Sequence, residues 1–593
     1  MFRKSQLAMA LAITAATGSA YLASGLAAGA NAPNGVLAAG SRLLQTRPVF
    51  QMPAGDHGAD LASARVAPRA IPLRVPGAEV LNAAKGRAAA LRAQVGNSSG
   101  VTSDAVKEAN AAATSPTPLA LTGACGTNVA AGFAPSDVNG AAGPTNLVVV
   151  TNVNIGVFNK TNCATISNVG LKTLFGGFSI PGTTILFDPR VLYDRKAQRF
   201  FVFADSEDFT NNDQFQYIAV STSNLATAWF LYRVPLSQGT SRFCKKAVNS
   251  FWDYPIAGLN DKRLVITAND FGGGVSTGIL DIDKTPMLSG LGTTARCFVT
   301  ANGINNYAPA VVLDKSLSMT LLSPGSGGGN QIRRMTLANP GLIGADTMGS
   351  ETFVNITPWV LTTNAFQPNG VQLDAIDGRF QGPSIQSRGL LWNVHTENGG
   401  LSNVYARWKL FKLATAATSV NGLMEFKPTT GGSNNRDDLF NASVATGSGK
   451  FNAPIFVTAS RTIDSIPGTG NAAHLIFSGF NSSANPAKWQ FDTVGISTRQ
   501  FTGCGGVCRW GDYSSTQIDP KSRKSDDDED DDHSVDSSST QNDPDSGIVR
   551  AWGFNQLVAS GTGTTTNQFQ WVTRAGKVEL KFESSPTIAS TEH

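Results

Sequence analysis

Arginine, aspartate and tyrosine side chains that could do chemistry occur in a few short segments of this chain. The densest segment, residues 504–514, holds Arg509, Asp512 and Tyr513 beside two cysteines. Arginines that converge on one point can bind a carboxylate through paired hydrogen bonds. The candidate ligand-binding residues are therefore Arg190, Arg379, Arg407 and Arg509, and the candidate catalytic residues are Arg190, Asp194, Asp253, Tyr254, His395, Arg509, Asp512 and Tyr513.

The aspartates are open to two interpretations. Glycosidic bond hydrolysis needs two carboxyl groups about 5 to 10 Å apart across a cleft, and Asp188, Asp194, Asp253, Asp270 and Asp512 could supply them. However, aspartate before proline or an aromatic residue commonly closes a turn by accepting backbone hydrogen bonds. Arginine and aspartate also pair between strands. We favour this structural interpretation over a catalytic one.

His395 follows a strand that contains a tryptophan, and the chain has five histidines. A histidine there could act as a general base. The favoured alternative is a partly buried side chain bonded to the backbone.

Asp137, Asn139 and Gly140 resemble the opening of a calcium loop, because two oxygen ligands stand two residues apart and a glycine makes the bend. The remaining ligands are not evident downstream. An Asx-type turn at the start of the first strand cluster is the favoured alternative. No cofactor is certain, and a structural Ca²⁺ ion stays the second hypothesis.

The six cysteines indicate an oxidising compartment. They fall in three neighbouring pairs, Cys125 with Cys163, Cys244 with Cys297, and Cys504 with Cys508. Six cysteines allow 15 connectivities. Pairing of neighbours is our prediction among them.

The first 120 residues contain two different regions. Residues 1–30 resemble a secretory signal peptide, with Arg3 and Lys4 before an apolar run at 7–16. That run is too short to span a bilayer, which takes about 20 residues. We therefore expect a secreted protein, extracellular or periplasmic, without a membrane span. Residues 31–120 are rich in Ala and Arg and predict a disordered low-complexity linker or leader, in which 83–95 has a helical composition.

Charge is unevenly distributed along the chain. The formal net charge is +4, although ten acidic residues lie between 526 and 545. With almost no apolar residues, 521–546 predicts a disordered acidic insertion. The basic residues are scattered rather than interleaved with aromatic residues, which argues against nucleic-acid binding.

From residue 125 onward, short apolar runs alternate with Gly, Asn, Asp and Pro, as at 147–151, 155–158, 200–204, 217–220 and 229–234. No long helical period occurs between 125 and 580, so the region is predicted to be all-β. The runs cluster about 45 to 60 residues apart, the scale of a four-stranded propeller blade. We predict one large β-propeller at 121–585, with seven blades, or six as the alternative.

Five motifs in this order resemble a family of bacterial exported β-propeller proteins, distantly sialidase-like and mostly without assigned function. They are DVNGAAGP at 137–144, FDPRVLYD at 187–194, DYP at 253–255 followed by ND at 269–270, LWNVHT at 391–396 and RWGDYS at 509–514. The resemblance implies a propeller over about 125–580. It transfers no catalytic mechanism, because a fold hosts many functions.

We expect an exported, monomeric, non-catalytic binding or scaffolding module whose loops at one end engage a glycan or an extracellular protein. The alternative is a sialidase-like carbohydrate-active hydrolase or lyase. A third hypothesis is a calcium-stabilised surface adhesin. An enzyme would need a deep axial pocket with Arg, Asp and Tyr side chains of perturbed pKa. In a binding module, the acids would instead be satisfied by turn amides.

Overall fold

The structure is a computed structural model that describes residues 37–57, 85–86, 90, 120–127, 135–208, 210–272, 274–301, 306–325, 327–338, 346–399, 405–415, 424–426, 437–447, 454–463, 472–480, 490–501, 507–520, 548–558 and 571–581. The predicted signal peptide at 1–30 and the acidic insertion at 521–546 lie outside these residues, as does Cys504. Within them, no helix is long and apolar enough to cross a membrane.

The first described strands lie before the main sheets. They are β1 (Leu37–Leu44), β2 (Arg47–Gln51), β3 (Gly55–Asp56) and β4 (Ala120–Gly126). Each of them joins the edge of a sheet formed by later residues.

The later strands form successive antiparallel meanders. Meander 1 contains β5 (Asn139–Ala142), β6 (Asn146–Thr151), β7 (Asn154–Asn159) and β8 (Thr165–Gly170), followed by helix α1 (Leu171–Leu174) and a 3₁₀ turn at Gly176–Phe178. Meander 2 contains β9 (Thr184–Asp194), β10 (Arg199–Asp208), β11 (Gln214–Ser221), β12 (Ala228–Gln238) and the short β13 (Ser241–Arg242). Meander 3 contains β14 (Phe251–Leu259), β15 (Arg263–Phe271), β16 (Val275–Asp283) and β17 (Thr293–Val299), with a 3₁₀ turn at Pro286–Ser289 before β17.

Meander 4 contains β18 (Ala308–Val312), β19 (Met319–Ser323), β20 (Gly329–Ala338), β21 (Thr347–Met348) and β22 (Thr352–Trp359). The short β23 (Ala365–Phe366) and β24 (Gln372–Leu373) precede meander 5, which contains β25 (Ser384–Ser387), β26 (Leu390–Asn398), β27 (Ala406–Ala414) and β28 (Met424–Phe426). Meander 6 contains β29 (Asp437–Thr446), β30 (Pro454–Ile463), β31 (Ala473–Phe480) and β32 (Gln490–Ile496). After β33 (Val507–Cys508), meander 7 contains β34 (Ser515–Ile518), β35 (Ile548–Val558) and β36 (Trp571–Lys581).

The seven meanders form a closed ring. The first strand of each meander contacts the first strand of the next, and β34 of meander 7 contacts β5 of meander 1. Every pair of neighbouring meanders also shares a buried hydrophobic cluster. Sheets packed face to face around one axis are a β-propeller. The predicted all-β propeller fold is therefore confirmed.

Strand β10 shows why the central strands are almost continuously apolar. Phe200 and Val202 pack against meander 1, whereas Phe201 and Phe203 pack against meander 3. Successive side chains in a strand point to opposite faces. A strand buried on both faces therefore needs apolar residues at every position.

The ring is closed by chain segments from both ends of the propeller. Strand β4 pairs antiparallel with β36 and becomes the outer strand of meander 7. A disulfide joins Cys125 on β4 to Cys163 in the turn of meander 1. A second disulfide joins Cys244 to Cys297, so both have the predicted neighbour pairing. Cys508 is also disulfide-bonded.

Residues 37–57 differ from the predicted linker at 31–120. Strand β1 pairs with β17 of meander 3, β2 with β12 of meander 2, and β3 with β8 of meander 1. Leu44 is buried in the hydrophobic cluster between meanders 2 and 3, and Phe50 packs against the cluster between meanders 1 and 2. The linker interpretation is therefore wrong for this stretch. The hydrogen bonds that order this stretch come from the edges of sheets that later residues form. Its own composition therefore gives no sign that it is ordered.

Candidate functional site

Four residues in or just before the first strands of meanders have an unusual backbone conformation. Asp137, Asp188, Tyr254 and Asn441 have φ values of 47°, 48°, 65° and 52°. The pairing register shifts beside three of them, on β9, β14 and β29. Asp and Asn tolerate this left-handed conformation, whereas it is a strained one for a bulky residue such as Tyr. These bulges place polar side chains at one end of the propeller axis.

Asp137 links the last meander to the first two. Its carboxylate accepts hydrogen bonds from the Asp512 backbone N–H at 2.8 Å and from Asn152 Nδ2 at 2.5 Å. Asn139 Oδ1 accepts the Val191 N–H at 3.0 Å. The two side chains proposed for calcium therefore bond to turn and strand amides. Among the described residues, no group of three or more His, Cys, Asp or Glu side chains is placed to hold a metal ion.

Arg190 fills the centre of this end of the axis. Its Nε donates to the Pro255 carbonyl at 2.9 Å, and Nη1 donates to the Gln381 carbonyl at 3.1 Å. The guanidinium carbon lies 3.1 Å from the centre of the Tyr513 ring, a cation–π contact. Nη2 is buried without a hydrogen-bond partner among the described residues. The side chain is thus packed between meanders rather than presented to solvent.

Arg379 and Arg509 are each held by a neighbouring aspartate. Arg379 Nε and Nη2 donate to both oxygens of Asp377, at 2.8 and 2.6 Å. Arg509 Nη2 lies 2.9 Å from both oxygens of Asp512. Burial alone would lower the pKa of both guanidinium groups, but the adjacent carboxylates raise the pKa above its usual value. Both arginines therefore remain charged, and each is already paired with a carboxylate group.

The acidic groups at this end are buried together. Burial raises the pKa of Asp137, Asp188, Asp253 and Asp512, and their mutual charges add to the effect for most of them. The Tyr513 hydroxyl group donates a hydrogen bond to the Asp188 carboxylate. Asp253 is 8% exposed and makes no hydrogen bond or ion pair with the described residues. Its carboxyl group therefore holds a proton more readily than an ordinary aspartate.

The other candidates lie away from this axial cluster. Asp194 is six positions along β9 from Asp188, about 20 Å at the usual rise per residue. It closes the β9–β10 turn by accepting the N–H groups of Lys196 and Ala197 at 3.0 Å and pairs with Lys284. It has a structural role there.

His395 and Arg407 both belong to meander 5. His395 is fully buried on the second strand, and its Nδ1 donates to the Gly378 carbonyl at 2.8 Å. Arg407 lies on the third strand and donates to the carbonyls of Ala406 and Asp437. Arg407 therefore lies apart from the guanidinium groups of Arg190, Arg379 and Arg509.

Sequence reasoning missed several members of the cluster. Gln381 Nε2 donates to Asn441 Oδ1 at 2.8 Å and to the Asp512 carbonyl at 3.1 Å. Lys85, from the segment predicted to be a linker, forms a 2.6 Å ion pair with Asp374. The Asp374-x-x-Asp377-x-Arg379 spacing was a visible signal, but nothing in the composition around Lys85 marks a buried residue.

A second group of buried charges lies between meanders 3 and 4. Arg263 pairs with Asp346, and its Nε lies 3.7 Å from Asp281 Oδ1. Burial raises the pKa of Asp281 to about 7, against the opposing charge of Arg263. We therefore expect this contact within the scaffold to respond to pH.

A groove of about 370 Å³ lies between meanders 6 and 7. Its lining includes Ile496, Leu557, Val558 and Val572, with Arg574 as the one charged side chain. A mainly apolar groove without an acid offers no catalytic pair. The chemistry-bearing residues are those at the axis.

The fold and its axial cluster define a β-propeller with a buried polar centre. Comparison with protein-family models gives no match, and comparison with curated protein sequences gives none either. Several solved glycoside hydrolase structures show a distant likeness. An exo-β-1,3-galactanase from Phanerochaete chrysosporium is 8% identical, with 78% of this chain and 99% of that chain covered and a TM-score of 0.28.

Two further structures give similar values. An exo-β-1,3-galactanase from Clostridium thermocellum is 9% identical over 60% of this chain and 87% of its own, with a TM-score of 0.28. An endo-arabinase from Bacteroides thetaiotaomicron is 12% identical, with 53% of this chain and 95% of that chain covered and a TM-score of 0.24. At such low TM-scores the propeller assignment rests on the strand order and pairing of this chain itself.

Proposed function

We propose that this chain is an exported, monomeric, non-catalytic β-propeller that binds or scaffolds a glycan or an extracellular protein. With each meander taken as one blade, the proposed propeller has seven blades. The disulfides within the ring are consistent with an oxidising compartment outside the cytoplasm. Ligand contact falls to loops at the axial end, since loops carry most recognition on rigid scaffolds.

The observation that carries this proposal is the occupancy of the axial arginines. A substrate carboxylate needs a guanidinium group with free donors facing a cavity. Arg190 instead bonds to two backbone carbonyls against the Tyr513 ring, and its third nitrogen, Nη2, is unpaired but buried. Arg379 and Arg509 are paired with aspartates. The Arg190 bonds join meander 2 to Pro255 of meander 3 and to Gln381, whereas the other two pairs fix the segments before β25 and β34, so all three contacts stabilise the axis.

The tyrosines give independent support. A tyrosine nucleophile is activated when its pKa falls towards neutrality. Burial raises the pKa of both Tyr254 and Tyr513 well above the usual value, although Arg379 and Arg190 oppose it. Both hydroxyl groups therefore stay protonated and act as hydrogen-bond donors.

A carbohydrate-active hydrolase or lyase is the second candidate, because Asp253 differs from the other acids. Burial, and then the charges of Asp188 and Asp512, raise the pKa of its unbonded carboxyl group. A carboxylic acid that stays protonated near neutral pH is what a general acid requires. Under this alternative, Asp253 would protonate the leaving group.

One experiment separates the two candidates. The full chain, secreted into an oxidising compartment, is incubated with immobilised complex glycans and extracellular matrix proteins, and both retention and new sugar ends are measured. Retention without release supports the binding module. Release that disappears in Asp253→Asn but persists in Asp261→Asn, a partly exposed aspartate paired with Lys196 and used as the control, would replace it with the hydrolase. Absence of both retention and release would refute the proposal for these ligands.

A further inference from the structure

The groove between meanders 6 and 7 holds an arginine that has no counter-ion among the described residues. Arg574 lies on β36 and is partly buried in the groove wall, yet it makes no hydrogen bond or ion pair within the described part of the chain. Arg550, the other arginine of meander 7, donates from its Nε to Glu579 Oε1 at 2.8 Å. A guanidinium group has five N–H donors in a fixed fork. The donors of Arg574 can therefore serve a group that enters the groove.

The scaffold behind Arg574 supplies space and a neutral ring. A Cβ atom on Gly495 would lie 3.7 Å from Arg574 Cγ and Nε, so the arginine packs where β32 carries no side chain. His474 pairs with Gly495 across the sheet and is fully buried, and neither ring nitrogen has a hydrogen-bond partner among the described residues. Burial, and then the charge of Arg574, lower the pKa of His474 to about 3. The positive charge of Arg574 is therefore not balanced by this neighbour.

The walls of the groove are mainly aliphatic. Ile496, Leu557, Val558 and Val572 line it, and Ile496 is 59% exposed. Among the described lining residues, the one side-chain hydroxyl group is Thr498 Oγ1, which lies 3.5 Å from the Val558 carbonyl. A hydrocarbon would gain from burial against these walls, whereas a sugar would lose water from hydroxyl groups that the walls cannot bond. The volume of about 370 Å³ is near the lower end of the range for small-ligand pockets.

We propose that this groove binds a small aliphatic carboxylate, whose carboxylate group pairs with Arg574 and whose hydrocarbon chain lies against Ile496 and Leu557. A carboxylate matches the guanidinium fork through two parallel hydrogen bonds. The chain would remove the exposed face of Ile496 from water. The lining residues belong to β4, β35, β36 and the end of β32 with the residues after it, so this site is distinct from the axial arginines and goes beyond the proposed function.

The test is equilibrium dialysis of the full wild-type chain, secreted into an oxidising compartment, against three radiolabelled probes. Octanoate carries both the charge and the chain, octanamide keeps the chain without the charge, and acetate keeps the charge without the chain. We expect octanoate to bind at least about ten-fold more tightly than either of the other two, because only octanoate uses both the arginine and the aliphatic walls.

Three full-length variants locate the bound octanoate. Arg574→Met keeps an apolar stem without the charge, and it is expected to weaken octanoate binding by about ten-fold or more while octanamide binding stays unchanged. Ile496→Asp introduces a negative charge at an exposed position of the wall, and it is expected to abolish octanoate binding. Arg550→Met is the matched control, because it removes the paired arginine of the same meander, and it is expected to bind octanoate as the wild type does.

The inference is overturned if octanoate does not bind, or if octanamide or acetate binds as tightly as octanoate. Octanoate binding that persists in both Arg574→Met and Ile496→Asp would place the ligand elsewhere and overturn it too. The comparison of probes uses the wild-type chain, so it gives an answer even when a variant does not fold. Retention on the glycan and matrix panel without octanoate binding would refute this site and leave the proposed function standing.

Discussion

Removal of the Cys125–Cys163 disulfide tests how the propeller ring is closed. The bond joins the outer strand of meander 7 to a turn of meander 1, and both cysteines pack in or against a hydrophobic cluster between these meanders. Alanine is the suitable replacement at both positions, because serine would bury a hydroxyl group. The double variant keeps every strand but leaves the closure to non-covalent contacts alone.

The expected loss follows from the length of the loop that the disulfide closes. The two cysteines are 38 residues apart, and the chain-entropy relation then gives a loss of about 4 kcal/mol in the free energy of unfolding. Cys244 and Cys297 are 53 residues apart, for which the same relation also gives about 4 kcal/mol. The two pairs are therefore matched in entropy and differ in where they act.

The assay is guanidinium unfolding of both double variants under non-reducing conditions, with hydrogen exchange measured in parallel. Both variants are expected to lose similar stability, but only Cys125→Ala/Cys163→Ala should speed exchange in β4 and β36. The contacts that remain between meanders 7 and 1 include the Ser515 bonds to Gly140 and the Lys160–Asp519 ion pair, while the β4–β36 ladder still holds β4 to meander 7. A loss below about 1 kcal/mol, or unchanged exchange in β4, would refute this account of closure.

Three further predictions concern buried positions. Asp281 has a folded pKa of about 7 against 3.8 unfolded, so the stability due to its proton is full below pH 3.8 and is lost as the pH rises to 7. The free energy of unfolding of Asp281→Asn should rise relative to that of the wild type by up to about 4 kcal/mol between pH 4 and pH 8. Urea unfolding of both proteins across this pH range measures it, and a difference in unfolding free energy that does not change with pH would contradict the prediction. Gly258→Ala should lower the free energy of unfolding by about 1 to 3 kcal/mol, because its Cβ would lie 2.3 Å from the Ala310 carbonyl oxygen. The control is Gly182→Ala, whose Cβ meets nothing within 4 Å. Thermal melts of both variants should show a loss of stability for the first and no change for the control. Arg190→Met should cost about 3 to 5 kcal/mol in urea unfolding, because two buried carbonyls lose a charged donor, and a loss below about 1 kcal/mol would show that the axis is solvated.

Residue types alone could not fully distinguish the candidate residues that lie at the propeller axis from those that lie elsewhere. Arg190, Arg379, Arg509, Asp253 and Tyr254 meet at the axis because each lies on a first strand or in the segment that leads into one. Residues of the same types can lie at the far end of a strand or on a later strand of a meander. Type and spacing do not distinguish these places, since they depend on which strand faces the axis.

The aspartates illustrate the same limit. Asp188 and Asp194 occur within one motif, yet one ends at the axis and the other closes a turn about 20 Å away. A strand carries its residues in a line, so positions six apart cannot serve one site. The motif predicted the strand correctly but could not assign its two acids to the same chemistry.

The sequence by itself determined the features that depend on local pattern. Continuous apolar runs such as residues 200–204 predict strands buried on both faces, because each side chain meets a neighbouring sheet. The repeated spacing of these runs predicts a propeller, and the order of the first four cysteines predicts their pairing. These properties need no knowledge of distant contacts.

Only the tertiary structure decided the contacts that depend on closure of the ring. Gly140 and Ser515 bond across 375 positions, and Lys85 reaches Asp374 across 289. The edges of meanders 1 to 3 likewise order residues 37–57, whose own composition predicts no fold. In each case the partner is a backbone edge or a buried charge that exists after the sheets have assembled, so no local sequence pattern could specify it.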